Sequence, residues 1–180
     1  MFSWSALKVW DGYMRGKGEH AKDYREKVFF PLFVDISEKT CVVIGAGRIA
    51  ARRIRTLADF CGDIRVVAPE AVPTVRAMAE EGACRLVSRP YKPEDLEEAD
   101  MVLAATDDPR LNEEIHDECR KRGVPVNVCS DQKKCDFHFP GIVRRGGFVI
   151  GVNGAGKDHR GVRALRERVQ ELLDRGELGV

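Results

Sequence analysis

The chain has 180 residues, 43% of them hydrophobic, which is enough apolar surface for a folded domain and too much for a disordered chain. Thirty Lys and Arg residues against 29 Asp and Glu leave a net charge of +1, which removes a global electrostatic case for nucleic-acid binding. No apolar run approaches the roughly 20 residues of a bilayer span, and residues 1–28 lack the apolar stretch and cleavage site of a secretory signal. A soluble, cytoplasmic protein with no nucleic-acid or membrane partner is expected.

Residues 1–28 read as an N-terminal extension in which Trp4, Leu7 and Trp10, spaced by three, suggest a short amphipathic helix. From Phe29 onward apolar runs alternate with helical stretches. Strands are expected over 31–34, 40–44, 64–68, 85–88, 101–105 and 126–128, and helices over 49–59, 72–81 and 111–122. The last helix is introduced by Asp107-Asp108-Pro109 and stopped by Gly123. Such alternation implies βαβ crossovers and a parallel sheet with helices on both faces. Beyond Asp131 two strands flank Gly146-Gly147, a hairpin signal because both turn positions can take positive φ. A final helix is expected over 162–174, with Val162, Leu165, Val169 and Leu172 on one face. The expected architecture is α/β: a Rossmann-like domain over 29–131, then a small β-hairpin and helix over 132–180.

The segment from Cys41 to Ala50 is a buried strand entering G-x-G-x-x-A and then a helix. Gly45 permits the tight turn, Gly47 lets the backbone approach a pyrophosphate, and Ala50 lets helix and strand pack closely. The helix N-terminus then offers free amide donors to phosphate. The context of strand before and helix after is what makes the motif point to dinucleotide binding. At the end of the next strand, Glu70 stands roughly where a ribose-hydroxyl acceptor belongs, although a solvated loop acid is the other reading. No Arg or Lys follows it to pair with a 2′-phosphate, so NAD is favoured over NADP. Thr106 and Asp107 end a later strand, either facing the ligand crevice or, for Asp107 and Asp108, capping the next helix.

Six cysteines are scattered at 41, 61, 84, 119, 129 and 135 without a C-x-x-C pair. Only Cys129, Cys135 and His138 lie close together, without zinc-ligand spacing or a fourth ligand, so reduced structural thiols and no metal site are expected.

FPLFVDIS, VIGAGRIA, VVAPE, AATDDPRLNEEI, VNV, CDFHFPGIVRRG and GVNGAGK occur in order over residues 29–173. Together they resemble the dehydrogenase domain of the siroheme-synthase family, the precorrin-2 dehydrogenases. CDF-x-FP followed by RRG is the specific part, since generic NAD dehydrogenases do not carry it. The resemblance implies hydride transfer from precorrin-2, an octacarboxylate tetrapyrrole, to NAD, giving sirohydrochlorin. It implies cofactor contacts at Arg48, Ile49, Pro69 and Glu70, and a homodimer formed through the C-terminal part. A polyanionic substrate asks for cationic side chains. Arg144, Arg145 and Lys157 are candidates, clustered with His159, Arg160 and Arg163, and Arg48, Arg52 and Arg55 form a second stripe.

The chain departs from that family at two places. The family's catalytic aspartate lies three residues beyond the Asn of N-V-x-D, which here is Ser130, with Asp131 next. Serine has no useful acidity near neutral pH, so Asp131 is the candidate to take the role by a one-residue shift. After the hairpin the family's Ser-Pro pair is replaced by Asp158-His159, and a serine position by Gly154. The leading expectation is an NAD-dependent precorrin-2 dehydrogenase. The alternatives are a catalytically silent NAD- or tetrapyrrole-binding partner protein, and a dehydrogenase that is also a sirohydrochlorin ferrochelatase.

Overall fold

The computed structural model describes residues 29–156 and 158–179, so the expected helix around Trp4, Leu7 and Trp10 and the candidate Lys157 lie outside the described residues. The sheet and everything after it belong to a compact unit beginning at Pro31. Its strands are β1 (Thr40–Ile44), β2 (Asp63–Val67), β3 (Arg85–Val87), β4 (Met101–Ala104) and β5 (Val126–Val128). They pair in the order β3-β2-β1-β4-β5, all parallel. Helices α1 (Arg48–Leu57), α2 (Pro73–Glu80) and α3 (Pro109–Arg122) supply the crossovers. A single 3-10 turn, Pro93–Leu96, stands between β3 and β4. The strand order reverses between β1 and β4, so the crevice for a ligand opens at their carboxyl ends.

The sheet divides the core into two halves by the period of two of an extended chain. Cys41, Val43, Val66 and Leu103 face α1 and α2, where Ala50, Ile54, Leu57 and Val75 close over them. Val42, Ile44, Val67, Val102 and Ala104 face α3, against Ile115 and Cys119. Burial on both faces is what the unbroken apolar runs of β1 and β4 require.

Beyond β5 a 3-10 turn (Gln132–Lys134) leads to β6 (Gly141–Arg145) and β7 (Phe148–Val152), an antiparallel hairpin, and then to α4 (His159–Asp174), which packs chiefly on β6. The CDF motif closes the open edge of the sheet. Asp136 Oδ2 accepts from the amide of Val126 at 3.0 Å, the Asp136 amide donates to the Val126 carbonyl at 2.9 Å, and the Cys135 thiol donates to the Val128 carbonyl at 3.3 Å. Asn127 Nδ2 donates to the Phe137 carbonyl at 2.8 Å, directing Phe137 and Phe139 onto the α1 side of the core.

Two expectations are corrected. Residues 31–34 form no strand: they join no ladder, and Leu32 and Phe33 are 65% and 72% exposed. The hairpin turns at Gly146-Gly147 as expected, with Gly146 at a positive φ of 56°, the pattern of a II′ turn. The last helix starts a turn earlier than its apolar stripe, because the Asp158 carboxylate accepts from the Gly161 amide at 2.7 Å and caps it there.

Candidate functional site

The glycine turn sits where β1 meets β4. The Gly45 amide donates to the Val67 carbonyl at 2.9 Å, and the Ala105 amide to the Ile44 carbonyl at 2.8 Å. Gly45 has φ +102°, and a Cβ there would stand 2.5 Å from the Ala105 carbonyl oxygen, so no other residue fits. Gly47 obeys a different constraint. Its φ is an ordinary −81°, and a Cβ would meet nothing within 4 Å. Glycine here keeps open the space in front of α1, not the fold itself. Gly47 is the N-cap of α1, no side chain caps the helix, and its first turn holds no acid. The first-turn amides therefore have no intrahelical partner and face an uncluttered opening, the arrangement that takes a phosphate group. Ala50 is fully buried behind them.

The other candidate cofactor residues follow the carboxyl ends of β1, β2 and β4. Arg48 and Ile49 are exposed at the start of α1, and Pro69 and Glu70 are exposed just past β2. Thr106, just past β4, is half-buried and fully engaged in a local network. Its amide donates to Asn112 Oδ1 at 3.1 Å, its carbonyl accepts from Asn112 Nδ2 at 3.1 Å, and its hydroxyl accepts from the Asp108 amide at 3.2 Å. Asp108, not Asp107, caps α3, accepting from the amides of Arg110 and Leu111. Asn112, 1% exposed, was not foreseen from sequence; it also donates to the Ser130 hydroxyl at 3.2 Å, tying the ends of β4 and β5 to α3.

That contact accounts for Ser130: its side chain serves the Asn112 network. Asp131 caps the following 3-10 turn, its Oδ1 accepting from the Lys133 amide at 2.9 Å. It does not form part of the cleft described next.

A cleft of about 200 Å³ lies beside the end of β5, between α1, the 127–139 loop and the turn that joins β7 to α4. Its wall includes Arg53, Gln132, His138, Phe139, Asn153 and His159. Arg53 is the unforeseen member. Its guanidinium lies 4.2 Å from the centroid of the Phe139 ring, and its Nε is buried without a hydrogen-bond partner. Burial holds its pKa below that of an ordinary arginine, and no described carboxylate acts on it. Burial likewise lowers the pKa of His138, helped by Arg53 nearby. The signal for Arg53 was present: residue 53 shares a helix face with Ala50, Ile54 and Leu57, all buried, so helical periodicity sets an arginine against the core.

Arg144 and Arg145, the candidates for holding substrate, do not line this cleft. Arg144 pairs with Asp59 at 3.3 Å and lies over Phe60, at the C-terminal end of α1 and so at the opposite end of the strands from the glycine turn. Arg145 pairs with Asp174 at 3.4 Å, at the far end of α4. The cysteines are free. Burial raises the pKa of the Cys129 and Cys135 thiols, and among the described residues no three His, Cys, Asp or Glu side chains converge as metal ligands.

Comparison with known proteins agrees with this geometry. A family model described as "Putative NAD(P)-binding" matches residues 32–141. The chain is 37% identical over 145 residues to the siroheme synthase of Pseudoalteromonas atlantica and 35% identical over 145 residues to that of Zymomonas mobilis, covering 81% of this chain and 31% of each relative. It thus spans about a third of the length of these relatives. The solved structure of "SirC, precorrin-2 dehydrogenase" superposes with a TM-score of 0.65 at 21% identity, covering 79% of this chain and 70% of that one, which establishes a shared fold.

Proposed function

The chain belongs to the NAD(P)-binding family whose model spans residues 32–141, and from that premise we propose that it is an NAD-dependent precorrin-2 dehydrogenase, producing sirohydrochlorin. The observation that carries the cofactor half is Gly47: an unstrained glycine whose missing side chain leaves the α1 amides open. The substrate half is supported by the siroheme synthase relatives and by the cleft at the end of β5, lined by an arginine that no carboxylate among the described residues neutralises.

In this reading the amides of the first turn of α1 hold the diphosphate, and Arg48 and Ile49 flank it. Glu70, beyond β2, accepts from the ribose hydroxyls, and its charge repels a 2′-phosphate, which favours NAD over NADP. Bound NAD supplies the hydride acceptor. The chain's own task is then orientation: the Asn112 network fixes the turn at Thr106, and the cleft fixes the substrate beside it. Asp131, spent on a backbone cap, is left with no step in this scheme. The homodimer belongs to the same reading, with Leu165 of α4 and Phe148 of β7, 53% and 58% exposed, as apolar surface for it; sedimentation equilibrium measures it.

Anaerobic incubation with precorrin-2 and NAD tests the proposal. NADH and the sirohydrochlorin spectrum should appear together, and faster than with NADP. Binding of both ligands without turnover would replace the enzyme by the silent partner protein. Adding Fe²⁺ to sirohydrochlorin is expected to give no rate above background.

A further inference from the structure

We propose that Arg53 is the residue that seats a carboxylate side arm of the substrate, an inference that rests on the tetrapyrrole reading above. A guanidinium taken out of water needs an anion or a full set of acceptors, and one left without them costs free energy. Arg53 has neither. Its buried Nε is orphaned, its guanidinium carbon lies over the Phe139 ring, and the groups that act on it are the Cys129 and Cys135 thiols and the neighbouring Arg52, none of them an anion at neutral pH.

The surroundings define what would satisfy it. Gln132 and Asn153 add amide donors to the same wall, and His138 next to Gln132 is biased to its neutral form. The acid on that wall, Asp158, is committed to the Gly161 amide at the start of α4. A cation with neutral donors around it and its planar edge unmatched suits a carboxylate held by paired hydrogen bonds. The volume of about 200 Å³ is below that of pockets for drug-sized ligands, so it takes one carboxyalkyl arm and leaves the macrocycle outside. Arg53 stands on α1 less than two turns after Gly47, so a substrate anchored here lies close to whatever the glycine turn holds. A phosphate of the cofactor shares the anion chemistry, and the test separates the two.

The full chain is titrated with sirohydrochlorin, followed by its absorbance, and separately with NADH. Arg53→Gln is expected to weaken sirohydrochlorin at least about tenfold, to leave NADH affinity within about twofold, and to leave Tm at or above that of the parent protein, since no described carboxylate pairs with the charge it removes. Arg53→Lys should fall between the two, keeping the charge and losing the fork. Arg53→Met replaces the Gln variant if that one does not fold. Unchanged sirohydrochlorin affinity in Arg53→Gln overturns the assignment. So does an equal loss for NADH, which would make Arg53 a phosphate contact, or a lower Tm with affinity fully restored by Lys, which would make it a structural prop. Should the parent protein itself bind no sirohydrochlorin, the tetrapyrrole reading fails and Arg53 with it; parent binding that the variant keeps removes Arg53 alone.

Discussion

At the residue scale, the site is built from side chains whose jobs differ from those their positions in the chain suggest. Asp131 follows Ser130, in the place of an absent acid, and was the natural candidate for its chemistry; the fold uses it to cap a 3-10 turn. Asp131→Asn keeps the oxygen that accepts from Lys133, so NADH formation should stay within about twofold of the parent rate. A carboxylate that moved protons would instead lose about a hundredfold or more, and initial-rate measurement decides. Glycine spacing was legible because only a backbone constraint explains Gly45, and its contact with Ala105 bears that out. Arg53 and Asn112 were harder to see because their importance lies in what surrounds them. An arginine on a buried helix face gains meaning only once no carboxylate is found beside it among the described residues. Asn112 matters because Thr106 and Ser130, 24 residues apart by their numbers, converge on its amide.

At the scale of elements, the parallel strands and the three crossover helices were readable from apolar runs and caps. Boundaries moved by one or two residues except at α4, where Asp158 set the start. What escaped the sequence was whatever an apolar pattern alone does not decide. The Pro93–Leu96 turn is short and weakly patterned, and it is held by Asp95, whose carboxylate takes both ends of the Arg89 guanidinium at 2.5 and 2.8 Å and the Lys92 amide at 2.8 Å. The Arg89 hydrogen bonds, assisted by the Lys92 amide, hold the Asp95 pKa below the usual carboxylate value. A depressed folded pKa gives stability that is fully present above the unfolded value of about 3.9 and is lost as pH falls through the folded one. Asp95→Asn should therefore cost about 1.5–3 kcal/mol near neutral pH. The gap from the parent protein should close progressively below about pH 4, where the parent carboxylate is protonated as well. Urea unfolding at the two pH values checks it; a gap independent of pH would mean that packing, not charge, holds the turn. The expected strand at 31–34 failed for a similar reason: an apolar run is a strand only where a neighbouring strand accepts it, and this one has none.

For the whole molecule, the sheet order fixes where ligands go more firmly than any single residue does. The glycine turn, Glu70, Thr106 and the Arg53 cleft come from separate stretches of chain, and the parallel topology delivers them to the carboxyl ends of β1, β2, β4 and β5. Arg144 and Arg145 pair with Asp59 and Asp174 instead of lining that cleft, because charge density along a sequence does not say which end of a sheet it reaches. A ligand that bridges these stretches stabilises the folded chain by mass action. NADH at a hundredfold excess over its Kd should contribute about 2.7 kcal/mol and raise Tm by roughly 5–10 °C, with a smaller rise for NADPH at the same concentration. The most direct measurement is calorimetric titration of NADH into the parent protein and into Gly47→Val. The added side chain meets open space at an ordinary φ, so the variant should fold with a loss under about 1 kcal/mol from a poorer N-cap. Saturable binding to the parent protein, abolished in the folded variant, is the expected result; no binding to the parent, or equal binding to both, would contradict a diphosphate site at the glycine turn.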